Sequence, residues 1–126
     1  MYIRFVTNEV SDESLQKLGV FHAIRYMRDD DELTQLEFEI ADEIVNWFSE
    51  HLESPLDFLN KQRLRNSDIC ISWFKESAKE HISKARDFSA ILENKDVTVE
   101  TLTTSNPGKI IYEDDFQVFA KPYEIF

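Results

Sequence analysis

Cysteine, glycine and proline are scarce, at one, two and three residues among 126. No apolar run nears the ~20 residues a membrane helix needs. Cys70 alone forms no internal disulfide and no thiolate zinc cluster; between Ile69 and Ile71 it reads as a small buried packing group. With so few glycines and prolines, chain breaks are sparse and the elements should be long. Also absent are a glycine-rich phosphate loop, a Gly-x-Ser-x-Gly turn and any catalytic-cysteine signature, so no catalytic residue and no cofactor is assigned. The opening Met1-Tyr2-Ile3-Arg4-Phe5-Val6 is too short, and too polar afterwards, for a signal peptide. A cytoplasmic location is therefore expected.

Positive charge is also in short supply, at 14 Lys and Arg against 25 Asp and Glu. The deficit is uneven. Residues 1–60 carry four basic and fourteen acidic side chains, residues 61–86 carry seven and three, and residues 87–126 carry three and eight. A net charge of -11 disfavours direct nucleic-acid binding and membrane-surface binding, because both targets are themselves anionic. It favours solubility and would attract a basic partner.

What the chain has is core material. Apolar residues make up 42% and aromatic residues 13%, including ten Phe and two Trp. A chain of this length buries roughly two-thirds of its unfolded surface, so residues 1–126 are expected to form a single domain.

Residues 2–6 alternate with β-branched and aromatic character and predict a first strand, closed by Thr7-Asn8. Ser11-Asp12-Glu13 offers a hydroxyl cap and two acids suited to a helix dipole, predicting a helix to about Arg28 with Leu15, Leu18, Ile24 and Met27 buried. The run Asp29-Asp30-Asp31-Glu32 suits a solvated connection. Thr34 and Glu37 fit a capping box for a second helix reaching Leu52. That helix has an acidic stripe of Glu39, Asp42, Glu43 and Glu50, and an apolar one of Leu36, Ile40, Ile44, Trp47 and Phe48. Ser54-Pro55 ends it. Leu56 to Asp68 has no clear period and carries the basic cluster with Arg63 and Arg65, reading as a loop or short helix.

Residues 69–74 read as a second strand with both flanks buried, passing directly into a third helix over about Lys75–Asn94. Ala78, Ile82, Ala85, Phe88 and Leu92 give that helix its apolar stripe. Val97 to Thr103 reads as a strand, completing a strand-helix-strand unit whose crossover would be right-handed if the strands paired in parallel. Asn106-Pro107-Gly108-Lys109 fits a type II turn, with Gly108 where a positive φ is needed. Ile110–Glu113 and Phe116–Lys121 predict a hairpin across Asp114-Asp115, though no glycine follows the aspartates. The expected fold is a two-layer α+β domain of order β-α-α-β-α-β-β-β, with three helices on one face of a mixed sheet of about five strands.

Titratable groups that could carry chemistry are few. His22, His51 and His81 have no His or Cys at metal-ligand spacing, and His81 shares a helix side with apolar residues. Asp29–Glu32 and Glu113–Asp115 lack the alternating ligands and bend glycine of a calcium loop, so no metal site is assigned. Lys75 at a helix start, with Arg63, Arg65 and Lys79, could receive an anion.

The blocks Ile71-Ser72-Trp73-Phe74-Lys75, Glu80-His81-Ile82 and Pro107-Gly108-Lys109-Ile110-Ile111-Tyr112-Glu113-Asp114-Asp115, with Gln117-Val118, resemble a family of small bacterial proteins of unknown function. The resemblance runs from Met1 nearly to Pro122. It implies a compact intracellular bacterial domain and lends no activity, ligand or catalytic residue. Where this chain has Asn106-Pro107-Gly108-Lys109, relatives are expected to carry Arg-Pro-Gly-Tyr.

Three functional readings follow. In the first, the chain is a noncatalytic interaction module, an inhibitor or nucleic-acid mimic, binding a basic protein through Glu39, Asp42, Glu43 and Glu50. In the second it is a small-molecule or nucleotide-binding domain, perhaps an enzyme, with a site near Trp73, Lys75, His81 and Tyr112. Self-association as a homodimer, through a sheet edge or face, is a third alternative.

Overall fold

A computed structural model describes residues 1–10, 16–54 and 70–123. The expected helix start at Ser11–Leu15, the strand residue Ile69 and the basic cluster with Arg63 and Arg65 lie outside the described residues.

The first strand, β1 (Tyr2–Val10), is longer than its alternating apolar residues predict. Its extension is held by β2 (Lys17–Gly19), which pairs antiparallel at Val6–Gly19 and Val10–Lys17. The first helix, expected from Ser11, instead begins after β2 as α1 (Val20–Asp29). Two hydrogen bonds explain the change: Arg4 Nη2 donates to the Lys17 carbonyl at 2.6 Å, and Thr7 Oγ1 donates to the Leu18 carbonyl at 3.3 Å. These contacts draw Lys17 and Leu18 into the sheet, and helix spacing starts only with the buried residues Val20, Ala23 and Ile24.

The acidic run after α1 is a helix stop. Asp31 takes φ 58°, and the Glu32 N–H donates to the Met27 carbonyl at 2.9 Å, the long reach of a Schellman cap.

Helix α2 (Gln35–His51) starts with the expected reciprocal cap: Glu37 N–H donates to Thr34 Oγ1 and Thr34 N–H to Glu37 Oε1. Its buried residues are Ala41, Ile44 and Phe48. Leu36 and Ile40, expected in the core, are instead 66% and 40% exposed. At 3.6 residues per turn they are rotated by about 80–120° from the centre of the buried arc.

Strand β3 (Ile71–Lys75) lies between β1 and β6 (Gln117–Lys121). Lys75 was expected to open a helix, but its N–H donates to the Phe116 carbonyl at 2.8 Å and it ends the strand. Helix α3 (Lys79–Asn94) follows, and the stripe Ala78, Ile82, Ala85, Phe88 and Leu92 is buried as expected. Its end repeats that of α1, with Asp96 at φ 64° and Val97 N–H donating to the Leu92 carbonyl at 3.0 Å.

The sheet is antiparallel, not mixed. β4 (Glu100–Thr104) pairs with β1 over five consecutive residues, from Val6–Glu100 to Tyr2–Thr104. β1 thus separates β3 from β4, which run in the same direction without touching as partners, and the strand-helix-strand unit makes no parallel pair. β5 (Lys109–Glu113) closes the far side against β6, and among the described residues the sheet has six strands with β4 and β5 at opposite edges. Gly108 has the expected positive φ, 115°, and a Cβ there would collide with the Lys121 carbonyl. The β5–β6 hairpin turns at Asp114-Asp115 as expected.

Ile3, Phe5 and Phe74 of the sheet pack with Val20, Ile24, Ile44, Phe48, Ile82, Phe88 and Leu92 of the three helices, so the helices cover one face. Phe21 meets Phe48 and Phe88 edge-on at centroid distances of 4.8 and 5.3 Å. A second apolar layer, Ile71, Trp73 and Val118 with Tyr2 and Leu102, involves strand positions that alternate with those facing the helices.

Candidate functional site

The end of α2 and the β5–β6 turn border an open cleft of about 540 Å³, lined by Ser49, His51, Glu53, Tyr112, Asp114 and Phe116 among others. Asp114 is its hub. Oδ1 accepts the backbone N–H groups of Phe116 and Gln117 at 2.8 and 3.0 Å. Oδ2 accepts the Tyr112 hydroxyl at 2.8 Å and Gln117 Nε2 at 3.0 Å. This carboxylate supplies locally what a glycine would otherwise permit in the turn, which explains how Asp114-Asp115 reverses the chain without one.

Burial works to raise the pKa of Asp114, but the donors from Gln117, Phe116 and Tyr112 outweigh it and hold the carboxyl below its usual value. Burial, reinforced by the hydrogen bond to Asp114, pushes Tyr112 up to about 12. One group is thus ionised and the other neutral across the physiological range, and neither is poised to exchange a proton near pH 7. Gln117, 2% exposed, also donates to the Glu53 carbonyl at 2.7 Å, tying the hairpin to the end of α2.

His81 closes the cleft from behind. It is 5% exposed, its Nε2 lies 2.9 Å from the His51 carbonyl, and its ring stacks on Phe116 at 4.3 Å. His51 stacks in turn on Trp47 at 4.3 Å and its Nδ1 lies 2.7 Å from the Trp47 carbonyl. The hydrogen bonds of Gln117 and His81 to the Glu53 and His51 carbonyls join the hairpin and α3 to the end of α2, while the carboxylates of Glu50, Glu53 and Asp115 also line the cleft.

The four residues expected to share a ligand site are therefore divided. Tyr112 lines the cleft and His81 backs it through Phe116. Trp73 is 1% exposed in the apolar layer with Ile71 and Val118. Lys75 lines a separate hollow with Tyr2, Glu76 and Lys79, and its ammonium is 2.6 Å from Glu113, whose hydrogen bond raises the lysine's pKa. Asp114 and Gln117 share no sequence pattern, since a buried amide bridging two elements leaves no periodic trace. The doublet Asp114-Asp115 was the only local signal.

The acidic residues of α2 are accessible. Glu39, Glu43 and Glu50 are exposed; Glu39 accepts from Gln35 Nε2, while Asp42 pairs with Arg28 at 3.1 Å and is half-buried. Leu36 and Ile40, one turn apart, stand beside these carboxylates in solvent.

Comparisons with protein-family models, curated proteins and solved structures find no match. Among the described residues, no three His, Cys, Asp or Glu side chains converge as a metal site, and no helix is long and apolar enough to cross a membrane. Among the described residues the surface of α2 and this cleft are two candidate sites that differ in kind: one presents exposed apolar side chains beside carboxylates, the other centres on the hydrogen-bonded Asp114.

Proposed function

We propose that this chain is a noncatalytic protein-binding module that engages a basic partner through α2. The observation that carries the reading is the exposure of Leu36 and Ile40 beside Glu39 and Glu43. Apolar groups at helical spacing supply burial on contact, and the surrounding carboxylates steer and orient a cationic partner. An inhibitor or nucleic-acid mimic is the finer form of the same proposal, motivated by the net charge of -11. A bacterial, cytoplasmic setting belongs to the proposal as well, resting on the family resemblance and the single cysteine.

The test measures binding of the full chain to a panel of basic proteins at low and high salt. Leu36→Ser with Ile40→Ser should weaken binding at every salt concentration, whereas Glu39→Gln with Glu43→Gln should slow association and flatten its salt dependence. Salt-insensitive association with every basic candidate, or binding indifferent to both double variants, would refute the proposal.

A second reading, a small-molecule or nucleotide site, rests on the open cleft beside Tyr112 and Asp114, where the Glu50, Glu53 and Asp115 carboxylates would favour a cationic group. A ligand present at about a hundredfold over its Kd should stabilise the fold by about 2.7 kcal/mol. A flat thermal-shift response across nucleotides and metabolites would remove this reading.

A further inference from the structure

We propose that the outer edge of β4 is a dimerisation edge, where two copies of this chain pair antiparallel about a two-fold axis at Leu102 and join their sheets into one.

The two long-range edges of the sheet are built differently. β5 departs from regular pairing between Ile110 and Tyr112, carries Lys109 on its first residue, and has Glu113 bound to Lys75. Bulges and edge lysines are the ordinary means by which a sheet discourages an incoming strand. β4 has none of these. Among the described residues it pairs with β1 alone, in unbroken register, and it contains no proline, lysine or bulge. Thr101 and Thr103 are exposed and Leu102 is half-buried. β-branched threonines also favour extended backbone.

Charge selects a second copy as the occupant. In a chain that is 31% charged, Thr101 to Gly108 is the longest run with no charged side chain. The one carboxylate of β4, Glu100, is already met by Lys17 at 3.0 Å. This edge is therefore where two chains of net charge -11 repel each other least, and where a basic partner finds least to recognise. The strand is also self-complementary. With the axis at Leu102, Glu100 faces Thr104 of the second copy, Thr101 faces Thr103, and the two Leu102 side chains meet. No like charges stand opposite, and threonine pairs of this kind are favourable across strands. Leu102 packs in the layer with Trp73, Val118 and Tyr2, so the pairing would continue that apolar layer between subunits.

Sedimentation velocity on the full chain, over a range of concentrations and salt, tests the proposal. The expected result is a monomer–dimer equilibrium that tightens with salt, as the mutual repulsion of two acidic chains is screened. Thr101→Lys with Thr103→Lys places lysine opposite lysine and should weaken the dimer at least tenfold. Thr101→Lys with Thr103→Glu places lysine opposite glutamate and should restore it; the reciprocal pair Thr101→Glu with Thr103→Lys should do the same. Thermal midpoints verify that each variant is folded. Ile110→Lys, on the guarded edge, should leave the dimer intact. A monomer under all conditions overturns the proposal. So does a dimer that survives the double lysine variant or is broken by Ile110→Lys, as does failure of both folded charge-swap variants to recover it. None of these outcomes depends on α2, whose partner binding should instead weaken with salt.

Discussion

His81 Nε2 lies 2.9 Å from the carbonyl oxygen of His51, and this one contact joins the first turn of α3 to the last turn of α2. A carbonyl only accepts, so that ring nitrogen carries the hydrogen. The ring also packs against Phe116 and Trp47. His81→Phe, which keeps an aromatic ring and removes the donor, should cost about 1 kcal/mol. His81→Ala, which removes the ring as well, should cost about 3 kcal/mol. Urea unfolding distinguishes the two, and a phenylalanine variant as stable as the parent would show that the hydrogen bond is idle.

Tyr112 makes stability sensitive to alkali. Its folded pKa, raised to about 12 from 10, favours the neutral phenol in the fold. That contribution is complete below pH 10 and is lost as the pH rises through the interval to about 12, because the unfolded chain ionises first. Chemical denaturation across this window should show a steeper fall for the parent than for Tyr112→Phe. Parallel curves would contradict the environment assigned to the hydroxyl.

Glu37 acts at the opposite end of the pH scale. Lys95 foremost, followed by the Thr34 backbone N–H, holds its pKa down to about 2 from 4.5. The stabilisation is present above pH 4.5 and disappears as the pH falls toward 2, since the unfolded carboxylate takes its proton first. Glu37→Gln can still cap Thr34 but cannot pair with Lys95 at 2.7 Å. Its acid limb should therefore be shallower than the parent's; equal acid sensitivity in the two proteins would exclude the ion pair as the cause.

Asp31 and Asp96 occupy left-handed backbone at the ends of α1 and α3. A side chain there is strained, and a carboxylate faces the negative end of the helix dipole. Asp31→Gly and Asp96→Gly should each stabilise by about 0.5–1 kcal/mol, after the greater entropy of glycine in the unfolded chain is subtracted. Rising thermal midpoints would verify this, while a drop in either variant would mean that its carboxylate makes a compensating interaction.

Legibility from the sequence followed the range of the forces involved. The cap of Thr34 and Glu37, the stripe Ala78–Leu92, the positive φ of Gly108 and the hairpin at Asp114-Asp115 could be anticipated because each depends on neighbours within a few residues. β2 could not. Its three residues carry little alternation, and the Arg4 and Thr7 side chains that hold them come from another strand. A grouping of Trp73, Lys75, His81 and Tyr112 near the start of the third helix does not form, because pleat alternation sends Trp73 away from the helices and the β3–β6 pairing keeps Lys75 in the sheet.

Composition and local pattern by themselves determined that this is an acidic α+β chain with three helices among the described residues and a hairpin after them, since propensity, capping and periodicity act over a turn or two. Tertiary structure alone decided that β1 would separate β3 from β4, that Leu36 and Ile40 would remain in water, and that Asp114, Tyr112 and Gln117 would lock together. Those outcomes depend on which surfaces can be buried together at least cost, a competition among distant segments in which each residue's own preference is only one small term.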